Sequence, residues 1–210
     1  MPFYISCGPN YNKFSGSAYP VKFDFKFFME GGVLLQYIFL QTYPFYTGIE
    51  YQRRGYDYNI DKKGIANDGR NYEKKVNGFV RIDYLNIPIL FKIPARKPSE
   101  KFHILAGAGL SFRLNYYEEY EGTYSIPKDT LVIPLSYQNS GNDALDFMDF
   151  NVSLGCRYGI TKKLDVWALV TRKLFGISTG KENFITANEI NTNFTIKLVY
   201  RLPSWFHIPI

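Results

Sequence analysis

Phe102-His103-Ile104-Leu105-Ala106-Gly107-Ala108-Gly109-Leu110-Ser111-Phe112-Arg113-Leu114-Asn115-Tyr116-Tyr117 decides the fold. Every second residue from Phe102 to Tyr116 is apolar, while His103, Gly107, Gly109, Ser111, Arg113 and Asn115 alternate with them. Side chains of a strand point to opposite faces in turn, so a period of two predicts a strand with one apolar face. The same pattern predicts strands around residues 3–12, 29–39, 45–52, 84–93, 148–159 and 194–202. Residues 164–177 alternate less cleanly: Val166, Ala168 and Val170 share one face and Trp167, Leu169 and Thr171 the other, and the sequence leaves their direction open. No window has the 3.6-residue period of a helix.

That makes eight strands, and the connections between them alternate in length. The links at residues 41–44, 95–101 and 160–163 are short. Those at residues 15–28, 55–83, 118–147 and 178–193 are long. Short links then fall at one end of an up-and-down array and long ones at the other. This is the layout of a transmembrane barrel with short periplasmic turns and long external loops.

A soluble barrel also alternates, so the polar face has to choose between them. It carries Gly8, Gly32, Gly48, Gly107, Gly109, Gly155 and Gly159, with Asn, Ser and isolated charges among them. A water-washed exterior would hold many Lys and Glu instead. The glycines are expected to make room in a crowded lumen for side chains such as Arg113 and Arg157. The other face is nearly free of charge and ends in Tyr11, Tyr51, Tyr116, Tyr158 and Tyr200, as an aromatic girdle would. The 18 Tyr and 18 Phe of this 210-residue chain fit that reading. The competing reading is a soluble lipocalin-like carrier with the apolar face inside.

The strand Tyr84-Leu85-Asn86-Ile87-Pro88-Ile89-Leu90-Phe91-Lys92 resembles the tyrosine-leucine-x-isoleucine-proline strand of the PorT-like outer-membrane β-barrels of the Bacteroidota. Residues 49–55 resemble the strand before it, residues 102–109 the strand after it, and residues 149–158 and 194–202 the later strands. The resemblance covers most of the chain. It implies an outer-membrane barrel of a Gram-negative bacterium, with an accessory role in protein secretion in one branch of the family. The barrel is expected to occupy residues 1–202, with a C-terminal tail at 203–210. Met1-Pro2-Phe3 leads into strand-like sequence without a basic n-region or a long apolar run. Either export is not expected, or an initiator Met replaces a signal peptide.

The remaining features exclude more than they assign. The net charge of +6 permits an anionic partner, but bases are scattered among acids, so nucleic acid is not expected. Cys7 and Cys156 cannot form a disulfide scaffold, and the only histidines, His103 and His207, belong to no metal-ligand cluster. No cofactor is expected. A lipid hydrolase needs a His with a Ser and an orienting group in reach; Leu105 stands where a serine would help His103, and Ser111 lies far along the strand. An enzyme is therefore not expected. Lys62-Lys63-Gly64 lacks the strand-to-helix setting of a phosphate loop. Pro88 is expected to mark a bulge or kink.

Glu30, Glu50, Arg54, Lys92, Arg113, Asp149, Arg157, Lys197 and Arg201 form the candidate lumen network. Both signs are present, so the charges can pair into a plug. The other reading is a narrow anion-preferring pathway, because bases outnumber acids in this set. Expected partners are outer-membrane lipid and, through long loops such as the acidic, aromatic Tyr116–Glu121 stretch, other envelope proteins.

Overall fold

The computed structural model describes residues 1–15, 21–39, 43–65, 69–94, 101–126, 131–140, 148–174 and 190–203. These form nine strands: β1 (Phe3–Ser15), β2 (Val21–Phe39), β3 (Tyr43–Ile65), β4 (Asn71–Pro94), β5 (Phe102–Ile126), β6 (Leu131–Ser140), β7 (Met148–Gly159), β8 (Leu164–Lys173) and β9 (Ile190–Arg201). All pairings are antiparallel. The order β4-β3-β2-β1-β9-β8-β7-β5 closes by pairing β4 with β5, giving a ring of eight strands. Closure removes the exposed edges that an open sheet would present. The ninth strand, β6, stands outside the ring and pairs only with the far half of β5.

Facing follows the alternation. Ile5, Met29, Val33, Ile49, Ile89, Ile104, Leu154 and Ile196 are exposed on the outside, while their neighbours Tyr4, Glu30, Leu34, Glu50, Leu90, Leu105 and Lys197 are buried. The contrast between Val33, 46% exposed, and Leu34, 0% exposed, shows how sharply one residue step changes environment. β8 takes the same order: Trp167 and Leu169 are buried inside, and Val170 faces out. A soluble carrier would need the reverse facing. The apolar exterior, about 25 Å tall in barrels of this kind, is where lipid packs.

Four expectations need correction. First, residues 55–83 and much of 118–147 are not loops. β3, β4 and β5 run 23, 24 and 25 residues, about twice the 12 or 13 of β1, β7 and β9. They continue past the lipid-facing belt and, with β6, form a projecting sheet.

Second, Tyr116 is buried, not girdle-forming. Tyr84 pairs with Arg113, but Asp83 pairs with Asn115, so Leu114 is an extra residue in β5. Such a bulge shifts the phase by one and exchanges the faces of all that follows. β2 holds another irregularity between Phe25 and Glu30.

Third, Pro88 marks no bulge. The β3–β4 register is the same on both sides of it, although paired positions pass from Thr47–Ile89 to Glu50–Asn86. A proline cannot donate to the ladder, and the interruption stops there.

Fourth, the lumen glycines do not chiefly make room for arginines. A Cβ at Gly107 would lie 1.9 Å from the carbonyl oxygen of Ile89, and one at Gly48 2.1 Å from that of Val33. They let neighbouring backbones approach where a small barrel curls most tightly. Gly109 and Gly159 fit the expectation in kind, since a Cβ there would first meet the Asn151 side chain at 2.8 Å and that of Asp165 at 3.4 Å.

Candidate functional site: the closed lumen and the projecting sheet

The lumen is layered. At the periplasmic end Tyr4, Leu34, Tyr46, Leu90, Leu105, Trp167, Leu169 and Val199 form a buried apolar layer. The rings of Tyr46 and Trp167 meet edge-on at 4.8 Å, and those of Tyr4 and Tyr46 at 5.5 Å. β1, β2, β3, β4, β5, β8 and β9 all contribute to this layer, so it ties the ring across its diameter.

Above it lies a polar layer centred on Lys197. Its ammonium is 2.7 Å from one oxygen of Glu50 and 3.3 Å from Glu30. Ser6 donates to Glu50 at 2.7 Å and Thr195 to Glu30 at 3.2 Å. Gln52 donates to Glu30, and Arg54 donates to Gln52 through Nε at 2.7 Å. The Arg54 guanidinium lies 4.8 Å from the centre of the Tyr84 ring. On the facing wall Lys173 pairs with Asp149. Ser111 donates to Asn86 at 3.0 Å and accepts from Asn151 at 2.9 Å. Buried charge is tolerable only when it is paired and hydrogen-bonded, and Lys197 with Glu30 and Glu50 meets that requirement.

The candidate residues divide in two. Glu30, Glu50, Arg54 and Lys197 form one linked network, and Asp149 and Arg113 are buried in the same layer. Arg157, Lys92 and Arg201 are elsewhere. Arg157 is paired with Asp165 at 2.9 Å near the periplasmic rim, and Lys92 is half-buried at that end. Arg201 is exposed at the same end, opposite Tyr4 of β1. Gln52, Tyr84, Lys173 and Asp165 belong to the arrangement and were not singled out from sequence. Their alternation with Ile49, Leu85, Arg172 and Val166 was the available signal. Within the lumen the buried acids Glu30, Glu50 and Asp149 stand with Arg54, Arg113, Lys173 and Lys197, and Asp165 pairs with Arg157, so the two signs interleave and a slight excess of bases remains. Ser111 is held by two asparagines, and His103 sits half-buried on the rim, so the two are not assembled for catalysis.

In the projecting sheet the inner face changes chemistry. Tyr56, Tyr58, Ile60, Val76, Val80, Ile82, Tyr84 and Tyr116 are buried together, with Tyr120 and Leu135 packed against them. Inside this cluster Glu118 accepts from Tyr116 at 2.6 Å and from Tyr58 at 3.0 Å. Burial and the Glu118 carboxylate raise the Tyr58 pKa, so the hydroxyl stays a donor. The outer face is polar and ion-paired: Lys26 with Asp57 at 2.6 Å, Arg53 with Asp83 at 2.7 Å, and Lys63 with Glu73 at 3.1 Å. An open cavity of about 540 Å³ on this sheet is lined by Asp57, Asn59, Phe79, Glu119, Tyr120 and Glu121 among others. The tail residues 204–210, His207 among them, and most of the 178–193 connection lie outside the described residues.

A ring of eight antiparallel strands with apolar side chains outside and paired charges inside defines a small membrane-spanning β-barrel. The family of the outer membrane protein beta-barrel domain matches residues 4–179, and the chain belongs to that family. It is a protein of the outer membrane of a Gram-negative bacterium. Similar solved structures include Ail, the attachment invasion locus protein of Yersinia pestis, with TM-score 0.44, 9% identity, and 96% of this chain and 98% of that one covered. Ail in complex with the heparin analogue sucrose octasulfate aligns with TM-score 0.47 and 8% identity over the same shares. Neisserial surface protein A aligns with TM-score 0.46 and 13% identity, covering 95% of this chain and 97% of that one. No curated protein matches the chain.

Proposed function

We propose that this barrel is a non-enzymatic surface-interaction protein: a closed membrane anchor that holds the β3–β6 sheet outside the lipid. The observation that carries the reading is the length of β3, β4 and β5, which run 23, 24 and 25 residues. The extra residues carry their own buried cluster, so the projecting part is ordered and can present a fixed surface. Its polar face, with Phe79 set among Asp57, Glu119 and Glu121, would engage other envelope or external molecules. The lumen, closed by the Tyr46–Trp167 layer and the Lys197 network, would not conduct. This supports the proposal of a plug over a pathway for the candidate residues Glu30, Glu50, Arg54, Arg113, Asp149 and Lys197.

The narrower PorT-like membership, carried by residues 84–92, supports the alternative of an accessory role in protein secretion. Complementation of a deletion strain tests both. One version of the chain replaces residues 57–79 by a short turn. Under the surface reading the trimmed barrel still reaches the membrane and changes mobility on heating, but fails to restore surface contacts. Full restoration by the trimmed barrel would contradict it. Loss of exported proteins in the deletion strain, restored by the trimmed barrel, would favour the secretion role.

A further inference from the structure

We infer that the outer-leaflet face of β1, β9 and β8 is a built seat for one phosphorylated lipid, its acyl chain in a groove and its phosphate between Lys13 and Arg172. The groove is a hollow of about 330 Å³ on the lipid-facing side, floored by Pro9 and Ala168 and walled by Tyr11, Phe27, Phe194 and Ile196. The sequence explains the hollow. Pro9 has no N–H to give, and the β1–β9 pairing stops at Cys7–Leu198 and resumes at Asn10–Thr195. Pro9 and Ala168 are short, while the rings around them are long. The Tyr11 ring lies 5.1 Å from that of Phe27 and 6.2 Å from that of Phe194. On a face that packs against lipid, an apolar hollow of this shape is filled by a chain.

The register then fixes where the headgroup falls. Tyr11, Phe194 and Val170 stand in one row across β1, β9 and β8. The next outward row, two residues along each strand or about 7 Å further from the periplasm, is Lys13, Thr192 and Arg172. Lys13 and Arg172 are exposed and flank Thr192, two strand spacings or about 10 Å apart. Both side chains are long enough to reach a phosphate between them, and charge-assisted contacts to phosphate are the strong ones.

The rim on β2, β3 and β4 differs. At the boundary on β2, β3 and β4, Lys26 is paired with Asp57 and Arg53 with Asp83. Those cations are neutralised by the protein itself. The Lys13–Thr192–Arg172 row contains no acid, and it lies directly over the apolar groove.

The test adds lipid A, or a neutral phosphatidylcholine, to the detergent-purified full chain and counts retained lipid by native mass spectrometry. Retention of lipid A is expected to exceed that of phosphatidylcholine about ten-fold, the order that one charge-assisted contact supplies. The K13Q/R172Q pair should lose that preference, and Ala168→Phe should lose retention with the charges intact. Ala168→Leu serves if Ala168→Phe no longer changes mobility on heating. Equal retention of the two lipids by the wild-type chain, or undiminished lipid A on K13Q/R172Q, would overturn the inference. So would displacement of lipid A by inorganic phosphate at equal concentration, because the groove would then contribute nothing.

Discussion

Along β3, Glu50, Gln52 and Arg54 turn inward within the barrel, and Tyr56, Tyr58 and Ile60 turn inward just beyond it. One strand, with unbroken alternation, buries ions in its first half and aromatic and aliphatic side chains in its second. The outer faces are reversed: Ile49 and Tyr51 in the first half, Asp57, Asn59 and Asp61 in the second. The solvent around the strand explains the exchange. Where the outside is hydrocarbon, apolar side chains must point out, and the narrow lumen takes the polar ones. Where the outside is water, the ordinary rule returns and the apolar face is the covered one.

The comparison can be broken most severely at Lys197. It is 2% exposed and stands between Glu30 and Glu50. Lys197→Met leaves two buried carboxylates without their cation, which costs about 3–5 kcal/mol. The urea midpoint of the detergent-held barrel, followed by the heat-dependent mobility shift, should fall steeply. An unchanged midpoint would mean that the lumen ions are solvated, not locked.

Tyr58→Phe acts on the other region. It deletes one of the two hydroxyls that serve Glu118, at about 1–3 kcal/mol for a buried acceptor left short of a partner. Limited proteolysis should then cut the 55–83 hairpin faster, with the barrel's urea midpoint unmoved. A fall in that midpoint would show that the sheet and the barrel unfold as one unit.

The smallest effect is expected at Glu73, whose side chain is partly exposed at the far end of the sheet. Hydrogen bonds from Lys63 and Lys75 hold its pKa below the ordinary value of 4.5. The folded state therefore binds fewer protons than the unfolded one just below that pH, so the contribution is complete above about pH 4.5 and fades as pH falls through the lower folded value. Protease resistance of the hairpin tip should be flat near neutrality and weaken only in acid. Glu73→Gln should remove the acid step and leave the neutral value almost unchanged, as exposed pairs contribute little.

The barrel was legible because a lipid-facing strand must show its period in the sequence. Residues 102–113 do so with the one exception of Leu105, and the lumen position of Glu30, Glu50 and Lys197 follows by counting in twos. The projecting sheet was hidden by composition: the Asp, Lys, Asn and Gly of residues 55–83 read as a loop. Its alternation was nevertheless present in Tyr56, Tyr58 and Ile60, and again in Val76, Val80, Ile82 and Tyr84. The phase of Tyr116 was not legible. The extra residue at Leu114 changes no composition, and both Tyr116 and Tyr117 suit either face. The pairing of Lys173 with Asp149 and of Arg157 with Asp165 depends on the register between β7 and β8, which alternation alone does not encode.

The central claim is that β3 leaves the lipid between Tyr51 and Asp57 and continues as an ordered strand in water. Spin labels placed singly at Ile49, Tyr51, Asn59 and Asp61 in the reconstituted protein test it directly. Collisions with oxygen should dominate at Ile49 and Tyr51, and collisions with a water-soluble nickel chelate at Asn59 and Asp61, with restricted motion at all four. Oxygen-dominated collisions at Asn59 and Asp61 would place the sheet in the membrane and contradict the account.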